Sequence, residues 1–223
     1  MLKTIFKKER GFSLPELLIA MVITLIVAAA VLTLFSVMLS SNHQLLERKK
    51  LNHELQTIMN IIADDVQRAG YWAHAETNSD NPFMQVNSSD ISVNAANDCI
   101  IFSYDRNKDG SLSSIDNNID DDERYGYRLN NGVLQFRPAG AAFDCTAPNQ
   151  NWSNLTNQSV ITIIAFTITL NDTAVDIDAA ELGTDTTHYR YINILITGQL
   201  TNDTSMTKTI TRTIKVYNNQ YAP

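Results

Sequence analysis

Asp105, Asn107 and Asp109 stand at alternate positions in Asp105-Arg106-Asn107-Lys108-Asp109-Gly110-Ser111-Leu112-Ser113-Ser114-Ile115-Asp116, and a glycine follows the third. That spacing suits a hard cation. Calcium takes about six to eight oxygens, and in a calcium loop the first, third and fifth positions turn side-chain oxygens inward. A glycine at the sixth makes the sharp turn, and the seventh supplies a backbone carbonyl. The candidate ligands are therefore Asp105, Asn107, Asp109 and Ser111, with Gly110 at the turn and Leu112 anchoring the loop in the core. The closing position, a bidentate Glu in the full motif, is Asp116. No helix pair is predicted to flank the loop, so a complete helix–loop–helix calcium hand is not expected. The same string also reads as a solvated acidic hairpin loop, because Asp-Gly makes turns without any metal.

Other reactive groups are sparse. Cys99 and Cys145 are the two cysteines, too few for a disulfide scaffold or a four-thiolate zinc site. His43, His53, His74 and His188 are scattered without zinc-ligand spacing. There is no G-x-S-x-G elbow and no glycine-rich phosphate loop. No catalytic constellation is present, and the chain is not expected to be an enzyme. Its 223 residues, 44% hydrophobic, are too apolar for a disordered chain and suit one or two domains. Lys and Arg number 17 against 24 Asp and Glu, a net charge of −7, which argues against direct binding to a phosphate backbone.

The elements that must carry these residues begin at a marked asymmetry. Met1 to Gly11 holds Lys3, Lys7, Lys8 and Arg10 against Glu9. Leu17 to Leu39 then runs 23 residues without a charge or a proline. As a helix it is about 34 Å long, enough for a bilayer core of about 30 Å. The basic flank predicts a cytoplasmic N-terminus and an outer location for the rest. A secretory signal peptide has a shorter apolar region followed by a small-x-small cleavage site; this run is too long for one, and the chain after it, from Ser40 to His43, continues as helix. Glu16 at the head of the apolar run is costly near membrane depth and calls for a partner, unless it snorkels to the interface. In an oxidising outer compartment Cys99 and Cys145 are expected to pair, with two free buried thiols as the other reading.

Lys7-Lys8-Glu9-Arg10-Gly11-Phe12-Ser13-Leu14-Pro15-Glu16 resembles the class III signal of type IV pilins and pseudopilins: a basic leader ending in Gly, then Phe, then Glu at the fifth mature position. The resemblance implies cleavage between Gly11 and Phe12 by the prepilin peptidase and N-methylation of Phe12. It also implies that the apolar helix is retained as the core of a filament. Pairing the new α-amine with Glu16 of a neighbouring subunit removes an uncompensated charge.

After Leu39 the helix is predicted to continue to about Ala69. Leu51, Leu55, Ile58, Ile62, Val66 and Ala69 form one apolar stripe, with charged residues mostly off it and Gly70 as the stop. The runs 99–104, 125–129, 133–136, 160–170, 189–200 and 207–217 read as strands, with Asn130-Asn131-Gly132 as a hairpin turn. The Asn/Ser/Thr-rich stretches 76–98 and 146–159 read as surface loops. The expected fold is α+β: a long N-terminal membrane-spanning helix packed on an antiparallel sheet, as in type IV pilins. The expected organisation is a leader over 1–11, a membrane or filament-core helix over 12–39, an amphipathic continuation over 40–70 and a β-rich periplasmic domain over 71–223.

Asp65, Arg68, Ala69, Gly70, Tyr71 and Trp72 resemble a segment of PilW-type minor pilins and, more weakly, of J-type pseudopilins; they also read as a helix end covered by two aromatics. In PilW-like proteins the acidic loop runs more directly into a stretch similar to Glu123-Arg124-Tyr125-Gly126-Tyr127-Arg128-Leu129. The calcium-closing ligand is then Glu123 or one of Asp120, Asp121 and Asp122, instead of Asp116 as in dockerin loops. The resemblance implies a minor pilin that primes or supports type IV pilus assembly in a tip or initiation complex, with downstream roles in adhesion, twitching motility or DNA uptake. Its partners are then other minor pilins, the major pilin, the prepilin peptidase and the inner-membrane assembly platform. The alternatives are a J-type minor pseudopilin of a type II secretion system and a membrane-anchored, calcium-dependent periplasmic binding module.

Overall fold

The computed structural model describes residues 11–75, 81–85, 91–110, 120–138, 144–146, 151–177 and 186–222. The chain divides into two compact units, Met1–Arg48 and Lys49–Pro223. Helix α1, Leu14–Val66, begins in the first and ends in the second. In the first unit α1 is exposed on all sides, apart from a half-buried Glu47. In the second, Leu51, Leu55, Ile58, Met59, Ile62, Ala63 and Val66 are buried, the face set by apolar residues three and four apart.

The helix stops three residues before Ala69. The amides of Arg68 and Ala69 bond the carbonyls of Asp65 and Val66, three residues back, which tightens the last turn. Gly70 then turns the chain at φ +73°. Asn218 Nδ2 donates to the carbonyl of Ala69 at 3.0 Å, satisfying one acceptor the helix leaves open.

The strand-rich part forms two antiparallel sheets where the sequence suggested one. The first has the order β1-β2-β3-β4-β5: Ile91–Val93, Cys99–Ser103, Arg124–Asn130, Val133–Arg137 and Ser153–Asn154. The second has the order β6-β7-β8, made of Ile161–Asp176, Thr186–Leu200 and Thr207–Lys215, with β9, Gln220–Ala222, also paired to β7. β1, β5 and the short helix α2, Pro82–Gln85, lie in stretches expected to be loops. At two to four residues each they are too short to show a period, and pairing with β2 and β4 makes β1 and β5 strands.

The β3–β4 hairpin closes through Asn131 at φ +50° and Gly132 at φ +78°, the two left-handed positions of a two-residue turn. β6 carries a bulge between Ile163 and Ala165. Ile192, Ile194 and Ile196 of β7 and Ile210 and Ile214 of β8 point into one core with the α1 stripe. At Gly198 a Cβ would stand 2.9 Å from Leu55 Cδ2, so α1 rests directly on the β7 backbone. Phe102, Tyr104, Tyr125 and Tyr127 stack across β2 and β3, with Tyr104 and Tyr125 centroids 4.5 Å apart.

Candidate functional site

In the first unit, the helix start is built from Gly11, Phe12, Ser13 and Glu16. Phe12 is 87% exposed. Glu16 Oε2 accepts hydrogen bonds from both the backbone N–H and the Oγ of Ser13, each at 2.9 Å, and Leu17 N donates to Ser13 O at 3.2 Å. The Glu16 carboxylate thus reaches back to the residue before the helix and satisfies one of its open amides. The Ser-x-x-Glu spacing that announces this arrangement lies within the leader junction, yet Ser13 carries no role in the sequence reading. From there α1 is long and apolar enough to cross a bilayer, and among the described residues its apolar stretch is exposed throughout. It is a membrane-anchoring helix.

In the second unit Cys99 and Cys145 form a disulfide with Cα atoms 6.2 Å apart. Arg128 of β3 donates to the Cys145 carbonyl at 3.0 Å and stacks 4.3 Å from the centre of the Trp152 ring. The bond ties the start of β2 to the segment after β4.

The third group is a carboxylate cluster. Asp105, Asp109 and Glu123 offer oxygens that all lie within 4.8 Å of one another. Asp105 follows β2 and is buried. Its N–H donates to the Tyr71 carbonyl at 2.9 Å, and its Oδ2 accepts from the amides of Ala73 at 3.0 Å and Gly110 at 3.1 Å. Gly110 sits at φ +64°, and a Cβ there would lie 2.0 Å from His74 Nδ1, so both conformation and space require glycine. Its carbonyl accepts Trp72 Nε1 at 3.0 Å. Glu123 ends a 3-10 turn, Asp121–Glu123, and is fully buried. Its Oε1 accepts the Arg106 amide at 3.1 Å. Burial pushes its carboxyl up to about 7; the Arg106 bond opposes this, and the neighbouring Asp105, Asp109 and Asp120 add to it.

Of the six candidate calcium ligands, the fold therefore brings Asp105, Asp109 and Glu123 together. Asn107 is on the exposed side, where its Oδ1 accepts the Asp109 amide at 3.0 Å and its Nδ2 donates to Asp109 Oδ2 at 2.8 Å. Ser111 and Asp116 lie outside the described residues. Asp122 is exposed, and its carbonyl accepts the Tyr125 hydroxyl.

The 65–72 segment connects helix to cluster. Asp65 accepts the Tyr127 hydroxyl and pairs with Arg68 at 3.4 Å. Arg68 also covers the Tyr104 ring at 5.5 Å. Gly70 N donates to Ser103 O at 2.8 Å, and the Tyr71 carbonyl and Trp72 indole hold Asp105 and Gly110 as above. Burial, and then the Asp65 carboxylate, push the Tyr127 hydroxyl well above the usual tyrosine range.

Comparison with known proteins joins the two ends of the chain. The family described as prepilin peptidase-dependent protein B matches residues 44–216, and the prokaryotic N-terminal methylation motif matches residues 6–32. The prepilin peptidase-dependent protein B of Escherichia coli (strain K12) is 25% identical over 165 residues, covering 74% of this chain and 80% of the relative. No solved structure matches the chain. The first match spans most of the helix-packed domain and the second spans the helix start. This pilin-like chain belongs to the prepilin peptidase-dependent protein B family.

Proposed function

We propose that the protein is a minor pilin of the PilW type that primes or supports type IV pilus assembly, in a complex with other minor pilins and the major pilin. One observation carries the reading. A run of 23 uncharged residues follows a basic N-terminal stretch, and among the described residues all of it is exposed. Such a surface is stable in lipid or against other apolar helices of the same kind.

In this reading Lys3, Lys7, Lys8 and Arg10 hold the N-terminus in the cytoplasm. The prepilin peptidase cuts between Gly11 and Phe12, Phe12 is methylated, and the helix stays in the inner membrane until the assembly platform draws it into a filament. The domain lies in the periplasm, where the Cys99–Cys145 bond persists, and later on the cell surface. Glu16 exchanges its Ser13 partner for the α-amine of a neighbouring subunit. The role is packing and positioning, without catalysis.

The test is Glu16→Ala in a strain with no other copy of the gene. The mature N-terminus should still begin at a methylated Phe12 by mass spectrometry, while surface pili are strongly reduced. Normal piliation would overturn the reading, and so would intact pili combined with loss of protein secretion.

A further inference from the structure

We propose that Asp105, Asp109 and Glu123 bind a calcium ion that ties the residues following α1 to the start of β3. The site stands apart from the pilus reading and does not depend on it. The three side chains bring oxygens within 4.8 Å of one another. Asp105 and Glu123 are 1% and 0% exposed, and each is only half satisfied. One oxygen of each accepts backbone N–H groups, whereas Asp105 Oδ1 and Glu123 Oε2 are buried and, among the described residues, have no hydrogen-bond partner. Buried carboxylate oxygens are costly unless a donor or a cation meets them. The charges that weigh most on Glu123 are Asp105, Asp109 and Asp120, all acidic. A cation satisfies both orphaned oxygens and removes the mutual repulsion.

The donor set selects the ion. Carboxylates without His or Cys favour a hard cation. Two ligands come from one irregular loop and the third lies 18 residues beyond the first. Calcium tolerates such irregular geometry, whereas magnesium requires a near-ideal octahedron and holds its waters. With three side chains, the remaining positions fall to water and backbone carbonyls, which points to an affinity of about 0.1–1 mM, in the range of extracellular modules. Asp105 also takes the Ala73 amide and donates to the Tyr71 carbonyl, and Glu123 directly precedes β3. Loading therefore reinforces the joint between the helix exit and the first sheet.

The experiment uses the full-length protein in detergent, stripped with a chelator and titrated with calcium or magnesium, with thermal unfolding followed by tryptophan fluorescence. Calcium at about a hundredfold above its Kd should raise Tm by about 5–10 °C, with magnesium far less effective. Terbium should give luminescence sensitised by Trp72, displaced by calcium. Asp109 is exposed, so Asp109→Asn should fold and lose both signals; Glu123→Gln, close in shape, should do the same. Asp105 is a poorer choice, because its other oxygen holds two backbone amides. An unchanged Tm, an equal rise with magnesium, or a calcium response that survives Asp109→Asn would each overturn the proposal. The first result is expected if Glu123 holds a proton where the ion is placed.

Discussion

Two stretches of one helix, 17–39 and 51–66, share a composition rich in Leu, Ile, Val and Ala but not a fate. All residues of the first are exposed, while seven residues of the second are buried against the domain's own strands. The difference lies in how polarity is arranged around the axis. The first stretch is apolar on every side. In the second, Asn52, Glu54, Asn60 and Asp64 occupy the outward side of a stripe. The one-sided stretch packs within its own chain; a helix apolar on every side belongs in a protein core or a membrane, and this one is exposed.

The sharpest way to break this contrast is to place the same charge in each stretch. Leu55→Asp buries a carboxylate at 0% exposure and should cost more than about 4 kcal/mol, abolishing the domain's cooperative unfolding. Leu25→Asp should leave that transition where it is and instead weaken retention in the membrane fraction. If Leu25→Asp lowers the domain's Tm as well, the division fails. Next in size is the disulfide, whose cysteines are 46 residues apart. The double change Cys99→Ser and Cys145→Ser should cost about 4 kcal/mol in the chain-entropy model, read by denaturant titration. The helical signal of the apolar stretch in detergent should survive domain unfolding.

A smaller effect is expected at Tyr127→Phe, which removes the hydroxyl from Asp65 and should cost about 1–2 kcal/mol. It also carries a pH signature. Tyr127 is pushed upward in the fold, so above pH about 10 the unfolded tyrosine releases its proton and the folded one keeps it. That contribution is complete below pH 10 and is lost as pH rises beyond it. Tyr127→Phe should flatten the alkaline limb of the stability profile. Smallest is Ser13→Ala, which removes the hydroxyl bond to Glu16. The amides of Leu14, Glu16 and Leu17 should exchange about fivefold faster, with the domain transition unmoved.

The contrast also explains which features the sequence disclosed. The uncharged run, the stripe from Leu51 to Val66, the Asn131-Gly132 turn and the alternating Ile192, Ile194 and Ile196 are periodic or local signals, and each sits where its pattern predicts. β5 is two residues, Ser153 and Asn154, with no apolar side chain to reveal it. Ser13 was hidden differently: its spacing to Glu16 is plain, but the junction's resemblance to a prepilin signal had already accounted for Glu16. The spacing before Gly110 singled out Asp105 and Asp109, which the fold brings together, but not that Asn107 stays on the exposed side.

By itself, then, the sequence determined a basic N-terminal stretch, a helix long enough for a bilayer and a helix-plus-antiparallel-strand domain, because these follow from charge, length and period along the chain. Tertiary structure alone decided that the strands divide into two sheets, and it brought Glu123, one of several acids the sequence offered, beside Asp105 and Asp109. The β2–β3 ladder pairs Ser103 with Arg124 and so carries the residues on either side, Asp105 and Glu123, to the same end of the sheet. Spacing along the chain cannot report which distant acid a ladder delivers, because that depends on register across strands.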